Sequence, residues 1–232
     1  MDFEQGIFIE SIKRTPTITS FRFKLKERVS FIPGQHMEVA FDKDNAELKH
    51  FLSFSSSPTK DYIEFTKRLS QSKFSDHLRV LKEGDNLYFK LPLGNCTLDD
   101  NYKKVAFLIG GIGITPVISM LDYIAERDLG MDSVLIYSNR TVDEIAFKEE
   151  LDLLNQRNNT KVVYTVTDQD VDSSQYIKSR IDVDLVRDQI LDIKERVVFV
   201  FGPPKMVDAM KALLLELGVS NDNIKTESFW GY

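Results

Sequence analysis

Apolar and polar positions follow mostly a period of two over the first hundred residues, and then the pattern changes. Residues 7–12, 18–23, 36–41, 51–55, 62–66 and 86–91 each read as a short strand. Pro33-Gly34, Pro58 and Gly84-Asp85 punctuate them. Phe74, Leu78 and Leu81 share a helical face, which predicts a turn or two of helix over 74–81. Six short strands at this spacing predict a small antiparallel Greek-key β-barrel. From residue 105 onward the apolar runs are continuous at 105–109, 134–137 and 197–201, 161–166 is similar, and 224–229 offers a shorter fifth strand. Strands buried on both faces carry such runs, because helices cover both sides of a parallel sheet. Helical stretches fall between them at 116–127, 143–155, 183–191 and 205–217. The expected architecture is therefore β + α/β: a barrel over residues 1–99, then a doubly wound parallel-sheet domain over 100–232.

Charge and composition narrow the chemistry. The net charge of −6 resides in the second half, where acidic residues outnumber basic ones. That argues against nucleic acid, which selects a basic face. The lone cysteine, Cys96, can form no internal disulfide and falls short of a four-cysteine iron–sulfur site. Three histidines, His36, His50 and His77, show no metal-site spacing, so no metal is expected. A redox centre would have to be an organic cofactor or something outside this chain. The amino-terminal residues lack the basic-then-apolar pattern of a signal peptide, and the most hydrophobic stretch, 105–121, is broken by glycines and Pro116. A cytoplasmic protein without membrane attachment is the expectation.

Two turns carry the strongest local signal. Gly110-Gly111-Ile112-Gly113-Ile114-Thr115-Pro116 follows a buried strand and opens a helix, whose free N–H groups suit an anionic pyrophosphate. It departs from the G-x-G-x-x-G fingerprint, with Thr-Pro in place of the third glycine. Gly202-Pro203-Pro204-Lys205-Met206 follows the fourth parallel strand and opens the last long helix. In an open α/β sheet both turns belong to one crevice at the carboxyl ends of the strands. Either turn alone is also compatible with a tight strand-to-helix connection that binds nothing.

With the barrel segments, these turns resemble the ferredoxin–NADP reductase superfamily over almost the whole chain. The ordered motifs are Pro33-Gly34-Gln35, Ser53 with Ser56-Ser57-Pro58, Gly84-Asp85, Pro92-Leu93-Gly94, the glycine turn, Asn139-Arg140-Thr141, and Gly-Pro-Pro-x-Met. The resemblance implies FAD (FMN less readily) on the barrel and NADPH or NADH on the α/β domain. His50-Phe51-Leu52-Ser53 takes the place of the family's Arg-x-Tyr-Ser. Ser53 would keep the hydroxyl near the flavin's reactive nitrogen, Leu52 would replace the stacking aromatic, and His50 would replace the arginine that grips the phosphate. Thr66, Lys67 and Ser75 match the next flavin segment, with Ser72 in place of its glycine. Gly110, Gly111 and Gly113 would lie under the coenzyme pyrophosphate and Thr115 near its carboxamide, while Gly202, Pro203 and Met206 form the second turn. Phe201 stands where many members have a cysteine. Glu227 matches an acidic residue near the active site, and Tyr232 or Phe229, ahead of Trp230, would place an aromatic against the flavin. Arg140 and Arg180 could meet a 2′-phosphate, yet Asn-Arg-Thr also occurs with NADH, so the coenzyme stays open.

The implied function is a flavoprotein reductase passing electrons from NAD(P)H through FAD to a carrier such as ferredoxin or flavodoxin, or to a small acceptor. Two alternatives are an electron-transfer subunit of a larger oxidoreductase, and a non-catalytic nucleotide-binding protein that has lost flavin. His50, Ser72 and Phe201 are the departures that support the last.

Overall fold

A computed structural model of the chain describes residues 2–157, 159–171 and 174–229. The chain divides into two compact units, residues 1–98 with 115–126, and residues 99–114 with 127–232.

The first unit is built on strands β1 (Glu4–Lys13), β2 (Ile18–Leu25), β3 (His36–Ala40), β4 (Lys49–Ser53), β5 (Ile63–Arg68) and β6 (Asn86–Leu93), with helix α1 (Lys73–Arg79) after β5. They pair antiparallel in the order β4-β3-β6-β1-β2-β5, and a bridge between Phe54 and Phe65 links the two ends. Period-two patterning works here because aromatic residues at alternate positions all point inward. Phe8, Phe21, Phe23, Phe65 and Phe89 are buried and in ring contact, with Phe23 and Phe65 stacked at 5.6 Å. On the other face of β2 and β5 lies a buried polar network. Glu64, 3% exposed, accepts from Arg22 Nε (2.8 Å) and Ser55 Oγ (2.9 Å), with Arg14 Nη2 at 3.5 Å. Its burial is tolerated because each oxygen has a donor. Residues 115–126, most of helix α2 (Ile114–Glu126), belong to this unit. Ser119 Oγ donates to Ser56 O at 2.7 Å, and Glu126 accepts from Thr59 and Lys60.

The second unit holds β7 (Lys104–Gly110), β8 (Asp132–Asn139), α3 (Lys148–Asn155), β9 (Thr160–Val166), β10 (Tyr176–Lys178), α4 (Val183–Gln189), β11 (Val197–Gly202), α5 (Pro204–Glu216) and β12 (Ile224–Ser228). All its strand pairs are parallel, in the order β10-β9-β8-β7-β11-β12. The order reverses at β7, between β8 and β11, which is where such sheets open a ligand crevice. Residues 105–109 are entirely buried, as their unbroken apolar run predicts. One face of the sheet packs Ala106, Leu108, Ile136, Val198 and Val200 against Leu185, Val186, Met210 and Leu214.

Two elements differ from expectation. The helix over 143–155 is a 3₁₀ turn (Val142–Glu144) followed by the shorter α3, broken where Phe147 adopts φ 59°. That break lets consecutive Ile145, Ala146 and Phe147 all be buried, which one amphipathic helix cannot do. The edge strand β10 was not expected, because three residues with two half-buried side chains carry no periodic signal.

Candidate functional site

On the first unit the candidate residues occupy β4, β5 and the loop into α1. Ser53, at the end of β4, is 4% exposed, and its hydroxyl has no hydrogen-bond partner. Buried polar groups are nearly always satisfied, so this orphaned hydroxyl is a candidate contact for a ligand. Leu52 is partly buried against the barrel core, while Phe51 is 65% exposed with its ring edge-on to His36 at 5.9 Å. His50 is half-buried, its ring 4.6 Å from Phe74. Burial, reinforced by the charge of Lys67, lowers its pKa to about 4, so the ring is neutral near pH 7. Burial likewise lowers the pKa of Lys67.

The hydroxyl of Thr66 is already engaged, 2.6 Å from Ser20 Oγ and 2.8 Å from Ser55 Oγ. What Thr66 has left to offer a ligand is its place on the strand rather than its side chain. Ser75, fully buried, accepts from Ser70 N at 3.2 Å and from Ser72 Oγ at 3.1 Å. Ser72 in turn caps α1 by accepting from Ser75 N at 3.2 Å. A glycine at 72 could not cap in this way, so the serine found there holds the loop into α1 in place.

On the second unit the two turns lie at the ends of the neighbouring strands β7 and β11. Their glycines serve different ends. A Cβ on Gly110 would stand 2.4 Å from Met206 Sδ, and one on Gly202 3.1 Å from the same sulfur. Met206 therefore fills the space that both glycines leave. A Cβ on Gly113 would stand 2.4 Å from Phe201 O, so this glycine is needed for close backbone approach. Gly111 alone, at φ 52°, would meet nothing, and this part of the turn is open. Tyr137 braces it by donating to Gly111 O at 3.0 Å. Pro203 is the N-cap of α5 with Pro204 at its first position, and Phe201 is fully buried, its ring 6.4 Å from that of Phe229. The N–H of Phe229 donates to Gly202 O at 3.0 Å, which carries β12 past the turn. Glu227 lies beside Phe201 in the β11–β12 register, and burial raises its pKa above the usual carboxylate range.

Arg140 is exposed just beyond β8, as is Arg180 beyond β10, and Thr115 is buried at the start of α2. Trp230 and Tyr232 lie outside the described residues. Sequence reading missed one feature. Asn139 is 5% exposed with neither amide atom bonded, and Thr165, fully buried at the end of β9, has an unpartnered hydroxyl. Asn139 stood in a motif whose arginine drew the attention, and Thr165 in an apolar run gave no signal. Among the described residues no cluster of His, Cys, Asp or Glu could hold a metal, and no helix is long and apolar enough to cross a membrane.

Two family models match this arrangement. Residues 8–98 match the oxidoreductase FAD-binding domain and residues 107–212 the oxidoreductase NAD-binding domain, so that together they span most of the chain. The fold is that of the ferredoxin–NADP reductases. The chain is 27% identical to a flavohemoprotein of Bacillus cereus, over 98% of this chain and 61% of that protein. It is 28% identical to the glycine betaine monooxygenase reductase subunit of Pseudomonas aeruginosa, over 95% of this chain and 63% of that one. It thus spans less than two thirds of the length of these curated relatives. A ferredoxin NADP+ reductase from Neisseria gonorrhoeae, solved with FAD and NADP bound, superposes with a TM-score of 0.83 at 21% identity, covering 99% of this chain and 100% of that one. The chain thus joins an oxidoreductase FAD-binding domain to an oxidoreductase NAD-binding domain.

Proposed function

We propose that this chain takes reducing equivalents from NADPH or NADH onto FAD and hands them to a separate acceptor, a carrier protein such as ferredoxin or flavodoxin or a haem protein. The observation that carries this reading is the buried, unpartnered Ser53 hydroxyl at the end of β4, within the segment matched to FAD binding. FAD, when bound, supplies the chemistry by accepting a hydride and releasing electrons singly or in pairs. The protein's part is to bind and orient. Ser53 donates its hydroxyl proton to the polar edge of the isoalloxazine, and Leu52 offers an aliphatic surface in place of a stacking ring. On the second unit the open turn at Gly111 receives the coenzyme diphosphate with backbone N–H groups. Glu227, whose pKa is raised by burial, is a carboxyl able to exchange a proton beside the strand end. Arg140 and Arg180 are the groups that would select a 2′-phosphate, and Phe229 provides apolar cover near the second turn.

A second reading has the same half-reaction serving as the reductase part of a larger electron-transfer system. It is favoured by the relatives themselves, of whose length this chain spans 61–63%.

The test is anaerobic addition of NADPH or NADH to the FAD-loaded protein, followed by visible absorbance. Bleaching of the flavin bands supports the reading, and the faster donor identifies the coenzyme. A protein that takes up FAD but is bleached by neither donor overturns it.

A further inference from the structure

The two edge strands of the barrel share almost no ladder. β4 pairs with β3 and β5 with β2, and among the described residues one isolated bridge, Phe54–Phe65, joins the two ends of the sheet. These strands carry candidate flavin residues, Ser53 at the end of β4 and Thr66 and Lys67 on β5. What fixes one side against the other is a residue beside the bridge. Glu64 commits its backbone and its side chain to the segment that follows Ser53. Its carbonyl accepts from Ser55 N at 2.8 Å, its N–H donates to Ser56 Oγ at 3.0 Å, and its carboxylate accepts from Ser55 Oγ at 2.9 Å.

The carboxylate also closes a ring. Arg14 Nε donates to Ser20 Oγ at 2.8 Å, Ser20 Oγ lies 2.6 Å from Thr66 Oγ1, and Thr66 Oγ1 lies 2.8 Å from Ser55 Oγ. Ser55 completes the circuit to Glu64, whose Oε2 has Arg22 Nε at 2.8 Å and Arg14 Nη2 at 3.5 Å. A guanidinium only donates and a carboxylate only accepts, so the hydroxyl protons of the ring all run one way, from Arg14 towards Glu64. The Ser55 proton is thereby committed. Ser119 Oγ adds a bond to Ser56 O at 2.7 Å. Glu64, Ser20, Ser55, Ser56 and Thr66 are all buried. A buried carboxylate is a poor source of stability, since apolar groups of the same volume often do as well. A fully satisfied polar network does, however, rigidify one arrangement. The group left over in this arrangement is the Ser53 hydroxyl, buried and without a partner.

We propose that Glu64 is a positioning residue of the flavin site: through Ser55 and Ser56 it fixes Ser53 against β5, so that the Ser53 hydroxyl is in place before FAD binds. This rests on the flavin reading above and adds to it a residue that acts through its neighbours. A donor held ready in this way needs no reorganisation as charge develops on the ring it faces.

The test is a double-mutant cycle on the FAD-loaded protein, read by the midpoint potential of the flavin in spectroelectrochemistry and by FAD affinity in fluorescence titration. Ser55→Ala removes the side-chain bond to Glu64 and leaves the Ser55 N–H bond and the arginine contacts in place. A donor facing a ring that gains electrons favours the electron-rich form, so a misplaced Ser53 should lower the potential. The expected change for Ser55→Ala is up to about tenfold in the ratio of affinities for reduced and oxidised FAD, about 30 mV for a two-electron couple. In a Ser53→Ala background Ser55→Ala should move neither reading further, because the group it positions is gone. Glu64→Gln, which also removes a charge, is read by affinity alone: it should weaken FAD binding, and less so in the Ser53→Ala background. If Glu64→Gln does not fold, the Ser55→Ala cycle decides. Equal effects of Ser55→Ala with and without the Ser53 hydroxyl would assign the network to the fold alone and overturn the proposal. Unchanged potential and affinity in Ser55→Ala would do the same, and both outcomes leave the flavin reading intact. Failure of the wild-type protein to take up FAD would overturn that reading together with the proposal.

Discussion

Gly111 and Gly113 are two residues apart in one turn, yet replacing them should have different consequences. Gly113→Ala drives a methyl group to 2.4 Å from Phe201 O, a backbone atom with little room to yield. It should cost about 2–3 kcal/mol in chemical denaturation, as overpacking of a tight site does. Gly111→Ala meets no neighbour and should cost only about 1 kcal/mol for the left-handed backbone, while weakening coenzyme binding more than stability. Equal destabilisation of the two variants would refute this division of labour. Ser53→Ala separates stability from chemistry in a similar way. Its hydroxyl is unsatisfied in the free protein, so removal should leave the melting temperature unchanged or slightly raised. The NAD(P)H-driven bleaching of FAD should slow by about ten- to a hundredfold, the loss of one well-placed donor. A large drop in apoprotein stability would instead give the hydroxyl a structural role. At this scale the sequence was most legible where a residue type is rare in its setting, as with Ser53, a serine ending a strand, which is buried with its hydroxyl unpartnered. It was least legible where partners are distant in the chain. Nothing local shows that Glu64 is buried between Arg14 and Arg22, 50 and 42 positions away.

Among the elements, the parallel sheet shows what patterning can and cannot fix. Largely apolar runs located β7, β8, β9 and β11, because burial on both faces leaves few positions for a polar residue. The same rule failed at α3, where three successive buried residues forced a left-handed break, and at β10, too short to show a period. Also invisible was the clasp at the amino-terminal ends of the strands. Arg196, its side chain 5% exposed, donates to Asp192 Oδ1 at 2.6 Å, Asp132 Oδ1 at 2.8 Å and Val105 O at 3.1 Å. It ties β7, β8 and the turn before β11 together, far along the strands from the glycine turns. Arg196→Met should cost about 2–4 kcal/mol, at or below the range for a broken buried pair because Asp132 is half exposed. The Arg196 guanidinium holds the Asp192 carboxyl down to about 2, from an ordinary value of 3.8. A depressed carboxylate stabilises above its unfolded pKa and loses that contribution as pH falls through the folded one. Wild-type stability should therefore drop between about pH 4 and pH 2 more steeply than that of Arg196→Met, as denaturation midpoints across that window would read. Parallel slopes would remove Arg196 as the cause.

For the whole molecule, the question is whether two binding functions divide between two stretches of chain as the folded units suggest. The FAD-binding match and the orphaned Ser53 hydroxyl fall in the barrel, whereas the open turn at Gly111 and the unsatisfied Asn139 and Thr165 belong to the parallel sheet. Hydrogen exchange on the apoprotein, with FAD alone, and with FAD plus NADP+ or NAD+ tests this without reference to turnover. FAD alone should slow exchange over residues 49–54 and 63–79. Added coenzyme should extend protection to 110–116, 139–142 and 202–206, because amides that bind a ligand exchange only after it leaves. At a hundredfold excess over its dissociation constant each ligand adds about 2.7 kcal/mol to the opening of the amides it covers, some hundredfold in rate. Coenzyme protection around Asn139 that is stronger with NADP+ than with NAD+, and lost in Arg140→Ala, would make the loop after β8 the selector between the two. Equal protection by both would remove Arg140 from that role. Protection by FAD confined to the second stretch would reverse the assignment of cofactors to units.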